Sequence, residues 1–367
     1  MIIKSLNTIG VYGNASLNSV DLAYISTDGV DVQKYIKTQT VHYPEDLCLD
    51  IRMLVNRRNW SYEELRNDPD VQELREKISV FYADCAKEFA AGEKIDCYGF
   101  DGLTIFSNPA EKCSYQLEDG KVLAFEIGQS IVTHFHRADL LSNGQASPLS
   151  PSFANYLGQT IEKPALFIVV DTVCSLIYLG QSGEITAFDC APGMAMIEDW
   201  TFRHANMQTD YNGKMAVIGK ADTQIIELLL RHKLLKKEPP KALDIMCFAD
   251  KKEHLEGLLL EDGAATATAF IAEAIYQAAF DFLPKIPSNL FICGEGCKNP
   301  TLMRLIKQNF APRNILPVTD INPELTAFGA QATAFNAVRR LYGLPITYPT
   351  TTGSFEPMSG GEIYEKI

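Results

Sequence analysis

No run of 18 or more apolar residues occurs in this 367-residue chain, which excludes a membrane-spanning helix of ordinary length. Basic residues are in deficit. Against 46 Asp and Glu stand 33 Lys and Arg, a net charge of -13, which argues against a nucleic-acid surface, since phosphate binding needs a basic patch. The opening stretch, residues 1–7, lacks a continuous apolar segment, being broken by Lys4, Ser5 and Asn7. It does not read as a signal peptide, and a cytoplasmic location is expected. Low-complexity segments and short-period repeats are absent. The nine cysteines are an odd, scattered set, with Cys85, Cys174 and Cys247 in apolar surroundings, and are expected as reduced thiols. Cys293 and Cys297 lack the two further ligands of a zinc site, so no metal centre is expected.

What remains is ordinary for a soluble globular protein: 46% hydrophobic and 22% charged residues, in a length suited to two or three domains. Thr8–Tyr12 and Val20–Ile25 read as strands about a turn at Gly13–Ser16. Ser61 with Glu64 forms a capping-box pattern. Beyond Pro69, the residues Val71, Leu74, Ile78, Phe81, Cys85 and Phe89 recur at three and four, which predicts a helix with that stripe in the core. A second strand pair, Leu166–Val170 and Val173–Leu179, repeats the opening half a chain later. Helices are expected over 225–235, 264–282 and 323–341, and a strand at Leu290–Ile292 entering Gly294-Glu295-Gly296. Strand pairs followed by helices, twice in tandem, suggest two similar α/β lobes with a cleft between them.

The densest polar stretch is His134-Phe135-His136-Arg137-Ala138-Asp139, continued by Gly144-Gln145 and Pro148-Leu149. It follows the β-branched run Ile131-Val132-Thr133 and so opens from a strand end, where α/β proteins collect their chemistry. In this architecture a turn with inward N–H groups cradles phosphate oxygens. A nearby carboxylate places Mg²⁺, and another near the acceptor hydroxyl takes its proton.

These segments, in this order, resemble the anhydro-N-acetylmuramic acid kinase family. The segment Gly10–Asp21 is similar to the family's opening Gly-Leu-Met-Ser-Gly-Thr-Ser-Leu-Asp-Gly-Val-Asp, with Gly10, Ser16, Leu17, Val20 and Asp21 matching and Asn18 in place of Asp. Asp101-Gly102-Leu103-Thr104 stands for His-Gly-Gln-Thr. The His134–Asp139 stretch stands for Asp-Phe-Arg-Arg-Arg-Asp, so the family's first Asp is His134. Val169–Leu176 stands for Asn-Ile-Gly-Gly-Ile-Ala-Asn-Leu, with Asp171 and Thr172 in place of the glycines. Phe188–Met194 keeps Asp189, Pro192 and Gly193, and Pro240-Lys241 keeps the start of a further motif. Cys293–Asn299 stands for Cys-Gly-Gly-Gly-Ala-Arg-Asn.

The resemblance implies an α/β fold of two actin/hexokinase-like (ribonuclease H-like) lobes with an interlobe cleft. The first would span 1–160, with 345–367 packing back on it, and the second 161–344. It implies an ATP-dependent, Mg²⁺-assisted kinase that opens 1,6-anhydro-N-acetylmuramic acid with water and phosphorylates it, in peptidoglycan recycling. A small amino sugar and a nucleotide are the implied partners, with a homodimer open. His134 and Asp139 are the candidate bases, Asp139 having the alternative of an ion pair with Arg137. Asp101, Arg137 and Gln145 are candidate sugar contacts. On the nucleotide side stand Gly13, Asn14, Ser16 and Asn18, then Asp171 and Thr172, then Asp189 and Gly193, and last Gly294, Gly296 and Asn299. The losses fall in the phosphate and catalytic turns while the apolar frames persist. The expectation is therefore weak or absent kinase activity, with a non-catalytic binding protein or an altered-substrate sugar kinase as alternatives.

Overall fold

The computed structural model describes residues 4–13, 17–57, 60–244 and 248–366. Along them the strands are β1 (Leu6–Gly13), β2 (Ser19–Thr27), β3 (Val32–His42), β4 (Cys97–Asp101), β5 (Thr104–Asn108), β6 (Cys113–Gln116), β7 (Ile131–Thr133), β8 (Ala165–Val170), β9 (Cys174–Leu179), β10 (Ile185–Ala191), β11 (Asn289–Cys293), β12 (Ile315–Pro317) and β13 (Glu362–Tyr364). The chain divides into two units, Met1–Tyr156 with Pro323–Ile367, and Leu157–Asn322.

The sheet of the first unit has the order β13-β7-β4-β1-β2-β3. Strands β1, β2 and β3 form an antiparallel meander. β4 joins β1 and β7 joins β4, both parallel, and β13 closes the edge antiparallel to β7. The sheet of the second unit has the order β10-β9-β8-β11-β12. There β8, β9 and β10 form the meander, and β11 and β12 follow in parallel. Both units thus share the order third, second, first, fourth, fifth with the same strand directions. This is the ribonuclease H-like topology of the actin/hexokinase fold, present twice. In such sheets the loops at the carboxyl ends of the parallel strands converge, and this decides where side chains meet.

Local sequence explains the frame. Every residue of β8 and β9 is buried, as expected of apolar runs in the middle of a covered sheet. The capping box is formed in full: Glu64 N–H donates to Ser61 Oγ at 3.2 Å, and Ser61 N–H to Glu64 Oε2 at 2.8 Å. Asp68 caps the helix Pro69–Ala90 by accepting from the N–H groups of Asp70 and Val71. Its stripe Val71, Leu74, Ile78, Cys85 and Phe89 is buried, and Phe81 is half-buried. The expected helix over 225–235 is instead two, Thr223–Leu230 and Lys233–Lys236, because His232 caps the second through Leu234 N–H.

The sequence alone groups the helix after Pro323 with the second lobe; the structure puts it in the first unit. It starts at Phe328 and runs to Leu341. A Cβ on Gly10 would lie 2.1 Å from Ala330 O and 2.5 Å from Ala334 N. Only glycine lets β1 come this close to the Ala330–Ala334 turn. No helix among the described residues is long and apolar enough to cross a membrane. The eight described cysteines are free thiols; Cys247 lies outside the described residues.

Candidate functional site

In the first unit the polar groups gather where β4 and β7 end. Asp101 is the last residue of β4, and His134 follows the last residue of β7. His134 holds a left-handed backbone, φ 53°, a conformation that costs an L-residue roughly 1–2 kcal/mol. Its buried ring turns toward β13: Nδ1 lies 3.0 Å from Tyr364 Oη and 3.5 Å from Glu362 Oε2. Arg137 Nη1 donates to both oxygens of Glu362, at 2.8 and 2.7 Å, and Tyr364 Oη donates at 2.8 Å. The bonds from His134, Arg137 and Tyr364 outweigh partial burial and hold the Glu362 carboxyl down at about 2.

Two residues on, His136 faces the other way. Its Nδ1 is 2.9 Å from Ala146 O, and its Nε2 is 3.5 Å from Asp101 Oδ1. A carbonyl only accepts, so Nδ1 carries a proton and Nε2 is the nitrogen that titrates toward Asp101. Burial pulls the imidazole down, but Asp101, the Ala146 carbonyl and Glu118 together push it above its ordinary value. Both side chains keep 13% exposure.

Glu118 completes the cluster. It is fully buried; Oε1 accepts from Thr133 Oγ1 at 3.1 Å, while Oε2 has no hydrogen-bond partner. A Cβ on Gly102 would fall 1.9 Å from that oxygen, so the carboxyl lies against the backbone just after Asp101. Burial raises the Glu118 pKa, with His134 opposing and Asp101 reinforcing.

Asp139 is not part of this cluster. It is fully buried. Its Oδ1 accepts from Ala146 N–H at 2.8 Å, and its Oδ2 from the hydroxyls of Thr347 and Thr352, both at 2.6 Å. The carboxylate ties the 144–146 loop to the C-terminal segment. Arg137, which the sequence alone offers as its partner, holds Glu362 instead. Gln145 joins the same tie through its N–H to Thr352 O at 2.7 Å. Gly13 ends β1 against Leu103 and Tyr82. Asn18 accepts from Ser19 Oγ at 3.1 Å and, through its carbonyl, from Tyr43 N–H at 2.8 Å. Asn14 and Ser16 lie outside the described residues.

In the second unit the turn between β8 and β9 meets two others. Asp171, which is buried, accepts the N–H of Glu295 on Oδ1 at 3.1 Å. The carbonyl of Asp171 accepts Met194 N–H at 2.8 Å, and that of Thr172 accepts Ala195 N–H at 3.4 Å. Gly193 precedes these donors with φ 60°, and a Cβ there would lie 2.2 Å from Asp171 O. Gly294 and Gly296 pack against Val170. Asp171, Thr172, Gly193, Gly294 and Gly296 therefore converge. Asp189 stands apart: it accepts from Ser175 Oγ at 2.7 Å and Leu243 N–H at 3.0 Å, joining β9 and β10 to the 241–243 segment. Asn299 is the N-cap of the helix Pro300–Phe310, accepting from Thr301 and Leu302 N–H.

Comparison with known proteins decides the lineage. The family model "Anhydro-N-acetylmuramic acid kinase" matches residues 6–366. The protein of that name from Paramagnetospirillum magneticum is 33% identical over 359 residues, covering 96% of this chain and 98% of the relative. That from Acidiphilium cryptum is 32% identical over 359 residues, covering 98% of each. The chain belongs to the anhydro-N-acetylmuramic acid kinase family.

Nucleotide phosphates need backbone N–H groups free to donate. In this member of the anhydro-N-acetylmuramic acid kinase family, those of Met194, Ala195 and Glu295 already donate to Asp171 and Thr172. The turn does not fit a phosphate group, because its own carboxylate takes one of the donors. No group of three His, Cys, Asp or Glu side chains among the described residues is placed to hold a metal ion.

Sequence patterning misses Glu118, Glu362 and Tyr364. For Glu118 a signal exists in Gln116-Leu117-Glu118-Asp119-Gly120: Asp119 alone caps the helix Gly120–Ile127, which leaves Glu118 without a local task.

Proposed function

We propose that this member of the family binds an amino sugar of the 1,6-anhydro-N-acetylmuramic acid class through the strand ends of its first unit, and that its ATP-dependent phosphoryl transfer is weak or lost. The observation that carries the reading is the bond from Glu295 N–H to the Asp171 carboxylate. A phosphate charge brought within ~4 Å of that carboxylate would be opposed by about 4 kcal/mol at an effective dielectric near ~20. The polar strand ends of the first unit, by contrast, keep side chains that suit a sugar: Asp101 and His136 side by side.

Calorimetry on the whole chain tests this. The expected result is binding of 1,6-anhydro-N-acetylmuramic acid and no binding of ATP-Mg²⁺ at millimolar concentration. Micromolar, Mg²⁺-dependent ATP binding with turnover to the sugar phosphate would overturn the loss of kinase activity. Absence of sugar binding would overturn the sugar site.

A further inference from the structure

The backbone does not let the Glu118 carboxyl out to water. Its own carbonyl accepts Arg75 Nε at 2.9 Å. The next residue is tied twice: Asp119 N–H donates to Ser79 Oγ at 2.7 Å, and Arg75 Nη1 lies 3.0 Å from Asp119 Oδ2. Asp119 also caps the helix Gly120–Ile127. With the chain pinned on that side, the Glu118 side chain runs inward and is fully buried. There Oε1 has the Thr133 hydroxyl as donor, and Oε2 has no partner. An ionised carboxyl seeks donors on both oxygens, so a charged Glu118 would stand half-satisfied in a dry place. The neutral acid leaves only an O–H unbonded, which costs far less.

The groups around it do not repair a charge. Burial is the largest influence and raises the carboxyl above its ordinary 4.5. His134, after β7, opposes this, but its Nδ1 is turned to Tyr364 and Glu362 on β13. Asp101, at the end of β4, reinforces it. Arg75 opposes it, yet is engaged with Asp119 and the Glu118 carbonyl. Tyr82, on the same helix as Arg75, and His136 complete the set.

The unpartnered oxygen lies against a hinge. Gly102 and Leu103 join β4 to β5, and a Cβ on Gly102 would fall 1.9 Å from Oε2. Leu103 O accepts Leu117 N–H at 2.9 Å, so the residue before Glu118 holds the same turn. Asp101 leads into it and has His136 Nε2 3.5 Å from its Oδ1. A charge arising on Glu118 is pushed by Asp101 and draws water, and the backbone in the way is Gly102-Leu103.

We propose that Glu118 is a proton switch for the ends of β4 and β7: protonated, it closes them in the arrangement described above; ionised, it loosens the Gly102-Leu103 turn and parts Asp101 from His136. Above 4.5 an unfolded glutamate has lost its proton while this folded one keeps it, so local stability falls as pH rises from there. The switch acts on the strand ends proposed to take the sugar, yet a chain that binds no sugar would show it unchanged.

The test is hydrogen exchange by mass spectrometry on the whole chain from about pH 5 to about 9, with each rate divided by the intrinsic exchange rate at that pH. In wild type, protection over 102–104 and 116–118 is expected to fall at least ~tenfold as pH rises. Glu118→Gln is neutral throughout and is expected to hold that protection flat, although His134 and His136 still titrate. Carbon NMR of the wild-type carboxyl signals is expected to show one glutamate titrating above the rest. Flat protection in wild type would overturn the proposal. An equal fall in Glu118→Gln would overturn it too, by assigning the change to the histidines. Wild-type glutamates that all titrate together in the ordinary range would overturn it whether or not the variant folds.

Discussion

Asp171 accepts the backbone N–H of Glu295 at 3.1 Å, across 124 positions of sequence. A side-chain carboxylate thus takes a donor at the turn where the family's pattern has glycine. Asp171→Gly removes the charge and frees that N–H. The expected outcome is a gain of at least ~tenfold in ATP-Mg²⁺ affinity, about 1.4 kcal/mol, read by calorimetry against wild type. An unchanged affinity would mean that something other than Asp171 excludes the nucleotide.

The frame of the protein is legible in its sequence wherever the cause is local. The Ser61–Glu64 box, the Val71–Phe89 stripe and the β8–β9 pair depend on residues a few positions apart, and each is found where patterning puts it. The convergence of Asp171, Gly193 and Gly294 was within reach because all three lie on strand-end turns of one sheet. The role of Asp139 was not, since two of its three donors stand 208 and 213 positions away. Patterning offers nearby Arg137 as a partner, but Glu362 claims that guanidinium from 225 positions off. Asn299, which the resemblance places on the nucleotide side, stands in Asn299-Pro300 at the entrance of a helix and takes the local task of a cap.

Asp139 supplies the second prediction. Asp139→Asn leaves a side-chain N–H₂ among three groups that all donate, so at least one of them loses its acceptor in a dry interior. A destabilisation of about 3–5 kcal/mol is expected, seen as a fall of roughly 10 °C in the thermal midpoint. An unshifted midpoint would show that the carboxylate does not hold the 144–146 loop and the Thr347–Thr352 segment together.

Glu362 gives a pH signature in the acid range. Its carboxyl is held at about 2 against an ordinary 4.5, first by His134 and then by Arg137 and Tyr364. A depressed carboxyl contributes stability that is present above 4.5 and is lost as pH falls toward 2. The group is partly exposed, so screening trims the effect. Hydrogen exchange at the β13 amides is expected to accelerate over that window in wild type. Glu362→Gln should show fast exchange already at neutral pH and little further change on acidification. Equal profiles for the two would remove Glu362 as the latch of β13 onto β7.

Lys241 gives a second pH signature, with the same slope, at alkaline pH. It is 1% exposed, with Nζ donating to Leu235 O at 2.7 Å and lying 4.1 Å from the centre of the Phe282 ring. Burial dominates its environment and lowers its pKa from 10.5 to about 8. Between those two values the unfolded chain keeps a proton that the folded chain has released, so stability must rise with pH across that window. Below about 8 the cost of the buried charge is carried in full, at most about 3 kcal/mol. Lys241→Met removes the titration and keeps an unbranched chain between Phe188 and Phe282. Urea unfolding at intervals from pH 7 to ~10.5 should show wild type gaining on Lys241→Met as the pH rises, with the variant ahead at pH 7. Parallel curves would mean that the ammonium keeps its ordinary proton affinity. In that case the Leu235 carbonyl and the two phenyl faces compensate its burial.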